Sequence, residues 1–341
     1  MQTIQKIYYP ALALMSAMLM IFISCEKDNN KSVPVLTTTI VTGITQTTAT
    51  SGGTITDDGG AIVSERGVCW STKPNPTIND SKNIDDNGTE SYSSSISGLE
   101  PNTTYYLKAY AINSEGKGYG AEKSFTTYNS DAISDIEGNF YNKVTIDNQE
   151  WLAGNLRTKT YNNGTPIATG HSNNEWESLS TGAYAVYPHS QIDGLSTEAE
   201  VLEVYGALYN WYAVNTGNLC PTGWRVPGDE DWTQLIQYID PDADPDGSPE
   251  SSIAGRKLKA TIGWYNDGNG SDEFGFSALP GGGRDLFGSI SHIGYSGFWW
   301  SSTGYNINNA WYRRMFCSDS DVLRDNYIKR LGLSVRCIKD N

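Results

Sequence analysis

The chain has 341 residues and a formal net charge of −15, with 24 Lys and Arg against 39 Asp and Glu. That balance, with no basic cluster, excludes nucleic acid as a partner, because phosphate neutralisation needs grouped cations. The length suits two domains rather than one small core, and 35 Gly and 21 Tyr among many Thr, Ser and Asn point to a β-rich, loop-rich architecture.

In chain order, Lys6 precedes an apolar run from Ile7 to Ser24 that ends at Cys25 and is followed by Glu26-Lys27-Asp28-Asn29-Asn30. A short basic start, an apolar core and small residues at the cut are the layout of a secretory signal. Uncleaved, the run is about long enough to span a bilayer as a helix. Ile23-Ser24-Cys25 resembles the end of a bacterial lipobox, in which the cysteine is lipidated and becomes the mature N-terminus. The resemblance implies a signal peptide over 1–24, lipidation at Cys25 and a polar tether over 25–32. Attachment then rests on lipid, each buried CH₂ contributing about 0.8 kcal/mol. Glu26-Lys27-Asp28 resembles the export signal of Bacteroidetes surface lipoproteins, which implies a cell-surface site on the outer membrane of a Gram-negative bacterium. The alternative is an ordinary signal peptide or a retained anchor helix with an incidental cysteine.

Residues 33–128 read as alternating strands with regular turns. Thr45–Thr56 closes at the turn Asp57-Asp58-Gly59-Gly60. Arg66–Ser71 is a strand with Val68 and Trp70 on one face. In Thr104–Asn113 the odd positions 105, 107, 109 and 111 point inward, as a half-buried strand requires. The spacing Leu99-x-Pro101-x-Thr103-x-Tyr105, then Ala111-x-Asn113, resembles a fibronectin type III domain, a β-sandwich in which Tyr105 would form the tyrosine corner. Cys69, in mid-strand beside Trp70, is expected to be a buried free thiol.

The second domain, 135–341, holds every tryptophan except Trp70. Strands are expected at Gly138–Val144 and Gln149–Leu152. Tyr205–Val214 carries a short helix pattern, Asp229–Ile239 a clear helix with Asp229 as N-cap and Trp232, Leu235, Ile236 and Ile239 on one face, and Lys257–Ala260 a further short helix. Strands close the chain. Beyond Cys25 the cysteines are Cys69, Cys220, Cys317 and Cys337, for which an exported chain allows one or two disulfides in any of three complete pairings. With no CxxC and with His171, His189 and His292 scattered, a zinc site is disfavoured.

Asp135–Tyr141, Gln149–Leu156, Tyr205–Trp211, Cys220–Pro227 and Ser334–Cys337 occur in an order that resembles the Fibrobacter succinogenes major paralogous domain, a family of exported bacterial proteins. Trp224–Trp232 and Val335-Arg336-Cys337 also resemble the formylglycine-generating-enzyme and C-type-lectin-like group. These resemblances imply an irregular α+β fold whose termini meet, and a Cys220–Cys337 disulfide. Cys317 is then single and expected to be buried.

Asp240, Asp242, Asp244 and Asp246 alternate before Gly247, the spacing with which calcium loops converge hard oxygen ligands. Two prolines, and Ile253 at the twelfth position from Asp242, favour a solvated acidic loop, so calcium stands as the candidate cofactor without a complete EF-hand. Asn266–Glu273 is a second polar turn with oxygen ligands. Pro280-Gly281-Gly282-Gly283-Arg284 lacks the context of a phosphate loop and reads as a tight surface loop. Ser296 lacks the nucleophile-elbow spacing. Trp299 and Trp300, with Trp311-Tyr312 and Asn306, Asn308 and Asn309, would stack on and hydrogen-bond a sugar if exposed, or fill the core if buried. Adjacent strand residues face opposite ways, so one of the pair can reach the surface.

The expectation is a lipid-anchored, cell-surface binding or adhesion protein without catalysis, recognising a glycan or another surface protein. The alternatives are an enzyme of the formylglycine-generating group, which needs a Cys317–Cys337 redox pair, and a purely structural surface component.

Overall fold

The structure, a computed structural model, describes residues 31–340. The signal segment, Cys25 and most of the tether lie outside the described residues. Among those described, no helix is long and apolar enough to cross a membrane.

The first domain is an antiparallel sandwich. One sheet orders β1 (Val35–Thr38), β2 (Thr48–Asp57) and β5 (Tyr92–Ser97) as β1-β2-β5. The other holds β3 (Glu65–Ser71), β4 (Ser81–Lys82), β6 (Thr104–Asn113), β7 (Gly116–Tyr119) and β8 (Lys123–Thr126), with β4-β3-β6 in sequence and both β7 and β8 paired to β6. Alternation along β6 sends Tyr105, Leu107, Ala109 and Ala111 into the space between the sheets, where they meet Leu36, Val68 and Ile96. The Tyr105 hydroxyl accepts the Glu100 amide at 3.0 Å, which makes the expected tyrosine corner. Cys69 is buried and free, and desolvation pushes its thiol up to about 11, so it is inert at neutral pH. The sandwich is fibronectin type III-like in its strand order and in this corner.

Tyr128 ends the sandwich and is held by the second domain. Its hydroxyl accepts Arg157 Nη2 at 3.1 Å, while Arg157 Nη1 lies 3.2 Å from Glu203.

In the second domain the last strand, Ile338–Lys339, lies between Gln149–Leu152 and Trp224–Arg225, so the termini of the domain meet as expected. Cys220 and Cys337 are disulfide-bonded beside this junction across a sequence separation of 117. A five-stranded sheet orders Ile290–Ile293, Gly281–Arg284, Ser296–Gly304, Asn309–Phe316 and Leu323–Ile328. The glycine run is therefore an inner strand rather than a surface loop. Gly282 has φ +64°, and a Cβ there would sit 2.4 Å from the Ser291 carbonyl of the neighbouring strand, so only glycine permits this pairing.

Ser296–Gly304 is covered on both faces. Trp299 enters one core with Trp151, Phe276, Met315 and helix residues Trp232, Leu235, Ile236 and Ile239. Trp300 enters the other with Tyr209, Trp211, Tyr312, Leu333 and the disulfide. The helix Asp229–Ile239 is as expected in extent, but Gly228 is its N-cap and Asp231 accepts the Gly228 amide at 2.6 Å. Asp229 is thereby free to turn elsewhere. The short helix expected at Lys257–Ala260 runs instead over Ala254–Leu258, a few residues earlier. Tyr205–Val214 is not one helix: Gly206, at φ +77°, ends the helix Glu198–Tyr205, and a strand Leu208–Tyr209 precedes the single turn Trp211–Val214.

Two measurements test this packing. Trp299→Ala should lower unfolding free energy by about 3–5 kcal/mol in urea titration, whereas a loss under about 1 kcal/mol would mean that the ring is not core. Replacing both Cys220 and Cys337 by Ala should remove about 2–5 kcal/mol, and an unchanged midpoint would contradict the bridge.

Candidate functional site

Of the two readings of Trp299 and Trp300, a sugar-stacking surface or core, the structure shows core. Trp299 and Trp300 are each 0% exposed, and their indole N–H groups donate to Asn155 Oδ1 at 2.9 Å and to the Tyr209 carbonyl at 2.8 Å. Neither offers a face to a sugar, because the strand they share is sandwiched between two cores. Trp311 is half-buried, with the Arg324 guanidinium 3.7 Å from its ring centroid and Tyr305 in edge contact at 5.0 Å. Protein groups therefore already pack against it.

The alternating acids do not build the oxygen cage their spacing suggests. Asp240 is buried and accepts the Ser251 hydroxyl at 2.5 Å and the Asp242 amide. Asp244 accepts the Asp246 amide at 3.0 Å, and Asp246 faces Arg324 at 3.6 Å. Asp240 and Asp244 thus form local Asx-type turns, each carboxylate serving the backbone two residues on. Among the described residues no three His, Cys, Asp or Glu side chains come together as metal ligands, and the acids of the calcium expectation, Asp240, Asp242, Asp244 and Asp246, do not gather: Asp240 and Asp244 hold turns and Asp246 faces Arg324. In the second polar turn, Asp272 likewise accepts the Ser277 amide and Asn269 the Trp264 amide.

Acids do converge beneath the main helix, with arginines as partners. Arg313, fully buried, lies 2.7 Å from Asp229 and 2.6 Å from Glu250, and Arg324 reaches Asp229 at 2.7 Å. Burial alone would raise the Asp229 carboxyl, but the Arg324 and Arg313 contacts outweigh it and hold the group below its ordinary value. Glu250 goes the other way, because desolvation exceeds the pull of Arg313. The cluster ties helix to sheet.

Cys337 is committed to Cys220, and Cys317 is a separate, half-buried free thiol. The Cys317–Cys337 pair required by the enzyme alternative is not formed. Ser296 is buried, and His292 Nδ1 meets Ser291 Oγ at 2.7 Å instead.

Sequence reasoning missed an open cavity of about 510 Å³ where the edge of the five-stranded sheet meets the helix Asn173–Glu177. Ser172 and Glu175 cap that helix reciprocally, which fixes the segment carrying His171 and Asn173. Opposite, Asp285 accepts the Phe287 and Ser289 amides and folds a tight turn. Gly288 in this turn has φ +86°, and a Cβ would lie 2.5 Å from Asn173 Cα, so the two walls meet closely at glycine. Arg284 leaves the inner strand and enters the cavity wall, 6% exposed. Its Nε donates to the Gly288 carbonyl at 2.9 Å and its Nη2 to the His171 carbonyl at 2.7 Å, with the guanidinium 4.1 Å from the Trp176 ring centroid. Desolvation draws the guanidinium below its ordinary value, with Asp285 opposing. Asn173, Gln191 and Ser289 add polar groups, and Val186 and Ile290 an apolar patch. The lining is mostly polar, with Thr169, His171 and Glu198 beside these groups, and so suits a ligand rich in hydrogen-bonding groups.

Fold and cavity define a two-domain protein, a fibronectin type III-like sandwich followed by an α+β domain with doubly covered tryptophan strands. Residues 144–339 match the Fibrobacter succinogenes major domain, and the chain belongs to that family. Among solved structures, the sensor domain of the anti-sigma factor RsgI4 of Pseudobacteroides cellulosolvens is similar at 20% identity and TM-score 0.23, over 29% of this chain and 97% of that one. The sixth fibronectin type III domain of human fibronectin type III domain containing protein 3 is similar at 27% identity and TM-score 0.24, over 31% of this chain and 95% of that one. No curated protein matches the chain.

The ion cluster yields a pH test with a definite sign. A depressed carboxyl contributes stability that is complete above the ordinary value of 3.8 and is lost as pH falls through the lower folded value. Asp229→Asn should therefore cost about 3–5 kcal/mol at neutral pH, where it leaves buried Arg313 short of a partner. Its deficit against the natural chain should shrink in urea titrations taken progressively below pH 3.8. A deficit independent of pH would contradict the charged state assigned to Asp229.

Proposed function

We propose that this chain is a lipid-anchored binding protein of the outer-membrane surface, non-catalytic, whose second domain takes a glycan in the cavity between Arg284 and the helix Asn173–Glu177. The observation that carries this reading is the cavity itself. Amide, hydroxyl and guanidinium groups converge there beside the apolar side chains of Val186 and Ile290, and a sugar ring has both hydroxyls to bond and a C–H face to bury. The Ile7–Cys25 segment supports the anchor, and the sandwich supports a role as spacer that holds the second domain away from the membrane.

Anchor and binding are tested separately. Cys25→Ser should move the exported protein from the membrane to the soluble fraction, and unchanged membrane association would refute lipid attachment. On a glycan panel the mature chain should bind at least one saccharide, and Gln191→Ala with Asn173→Ala should weaken it by about tenfold or more, two hydrogen bonds being removed. Binding indifferent to both substitutions would place the ligand elsewhere, and silence across glycan and matrix-protein panels would sink the reading.

A further inference from the structure

We infer that the cavity selects a carboxylate-bearing sugar, a uronic acid, through Arg284; the inference rests on the proposed glycan-binding role of the same cavity. Among the described residues, the three other buried arginines of the second domain are compensated in one of two ways. Arg157 and Arg313 are paired with carboxylates. Arg336 has no carboxylate, but all three of its nitrogens donate, to Asn155 and to the Leu152, Phe276 and Ser277 carbonyls. Arg284 has neither arrangement. It makes no ion pair, only Nε and Nη2 donate, and Nη1 lacks a protein partner while staying reachable by solvent. Nη2 carries two N–H groups and has one protein acceptor, so Nη1 and the remaining Nη2 N–H are the donors left for a carboxylate.

Asp285 acts on this cation only from beyond ion-pair distance, and an anion placed on its free donors would offset the remaining cost of burial. Glu198 is the only carboxylate among the lining residues and is exposed. It repels a dianion more than a monoanion, which favours a carboxylate over a phosphate. The volume of about 510 Å³ exceeds what a bare carboxylate needs and leaves room for the ring, with Asn173 and Gln191 for its hydroxyls.

Calorimetric titration of the mature full-length chain with galacturonic and glucuronic acids, galactose, glucose, acetate and inorganic phosphate tests this. At least one uronic acid should bind about tenfold or more tighter than its neutral parent, a charge-assisted bidentate contact being made only by the acid. Acetate and phosphate should bind more weakly than that acid. Arg284→Gln should abolish the advantage of the acid, with circular dichroism confirming the fold. Because Arg284 is buried and its loss can unfold the domain, Glu198→Gln provides the second arm: exposed at the cavity rim, it should raise the preference for the uronate over its neutral parent several-fold. Neutral sugars binding as tightly as acids would overturn the inference and leave the glycan reading standing. Acetate or phosphate matching the uronate would overturn the sugar class, and no binding by any sugar would overturn both.

Discussion

One amide holds the second domain together. Asn155 Oδ1 accepts the Trp299 indole at 2.9 Å and the Arg336 Nε at 2.9 Å, while its Nδ2 donates to the Tyr205 carbonyl at 2.9 Å. Four distant parts of the chain are thereby fixed at a single buried point. Gly206 approaches so closely that a Cβ there would lie 2.7 Å from Asn155 Cβ. Hydrogen bonds of this kind gain strength from their dry surroundings, and each unmade one would leave a buried polar group exposed to no solvent. The segments that carry the family resemblance, around Asn155, Tyr205, Trp211, Cys220 and Arg336, meet at or beside this point. Their chemistry is that of a scaffold.

That constraint decides where binding can occur. With Trp299 tied to Asn155 and Trp300 to Tyr209, the strand between them has no free face, and the aromatic wealth of the domain is consumed in two cores. Space remains at the sheet edge, where Gly281–Arg284 and Ile290–Ile293 lie against a one-turn helix rather than a full layer. There a guanidinium stacks on Trp176 and keeps one nitrogen without a partner. Rigid strands and a capped helix position the donors, so the cavity is preformed rather than assembled from mobile loops.

Legibility followed the range of the signal. Gln149–Leu152 and the helix Asp229–Ile239 were readable because their periodicity is local and strong. The sandwich was readable from Tyr105, whose corner bond spans only a few residues. Two short helices were overlooked although Ser172 with Glu175, and Thr197 with Glu200, are capping boxes that could have revealed them. The glycine run was misread because a strand of glycines needs a neighbour at close quarters, a fact of tertiary packing. Composition could not separate core tryptophans from surface ones. The acids before Gly247 had ligand spacing, yet spacing cannot show that Asp240 and Asp244 turn to their own backbone and Asp246 to Arg324. Nor could spacing reveal the cavity, since the Arg284 and His171 segments that form its wall are 113 residues apart.

The central claim is that ligand enters the cavity above Trp176 and not the tryptophan-filled interior. The most direct measurement is a proton–nitrogen correlation spectrum of the ten indole N–H groups during titration with galacturonic or glucuronic acid. Trp176, whose ring carries the Arg284 guanidinium at 4.1 Å, should shift in a saturable way, while Trp299 and Trp300 stay fixed. Shifts at Trp311 or at the Trp299–Trp300 pair, with Trp176 unmoved, would contradict the account.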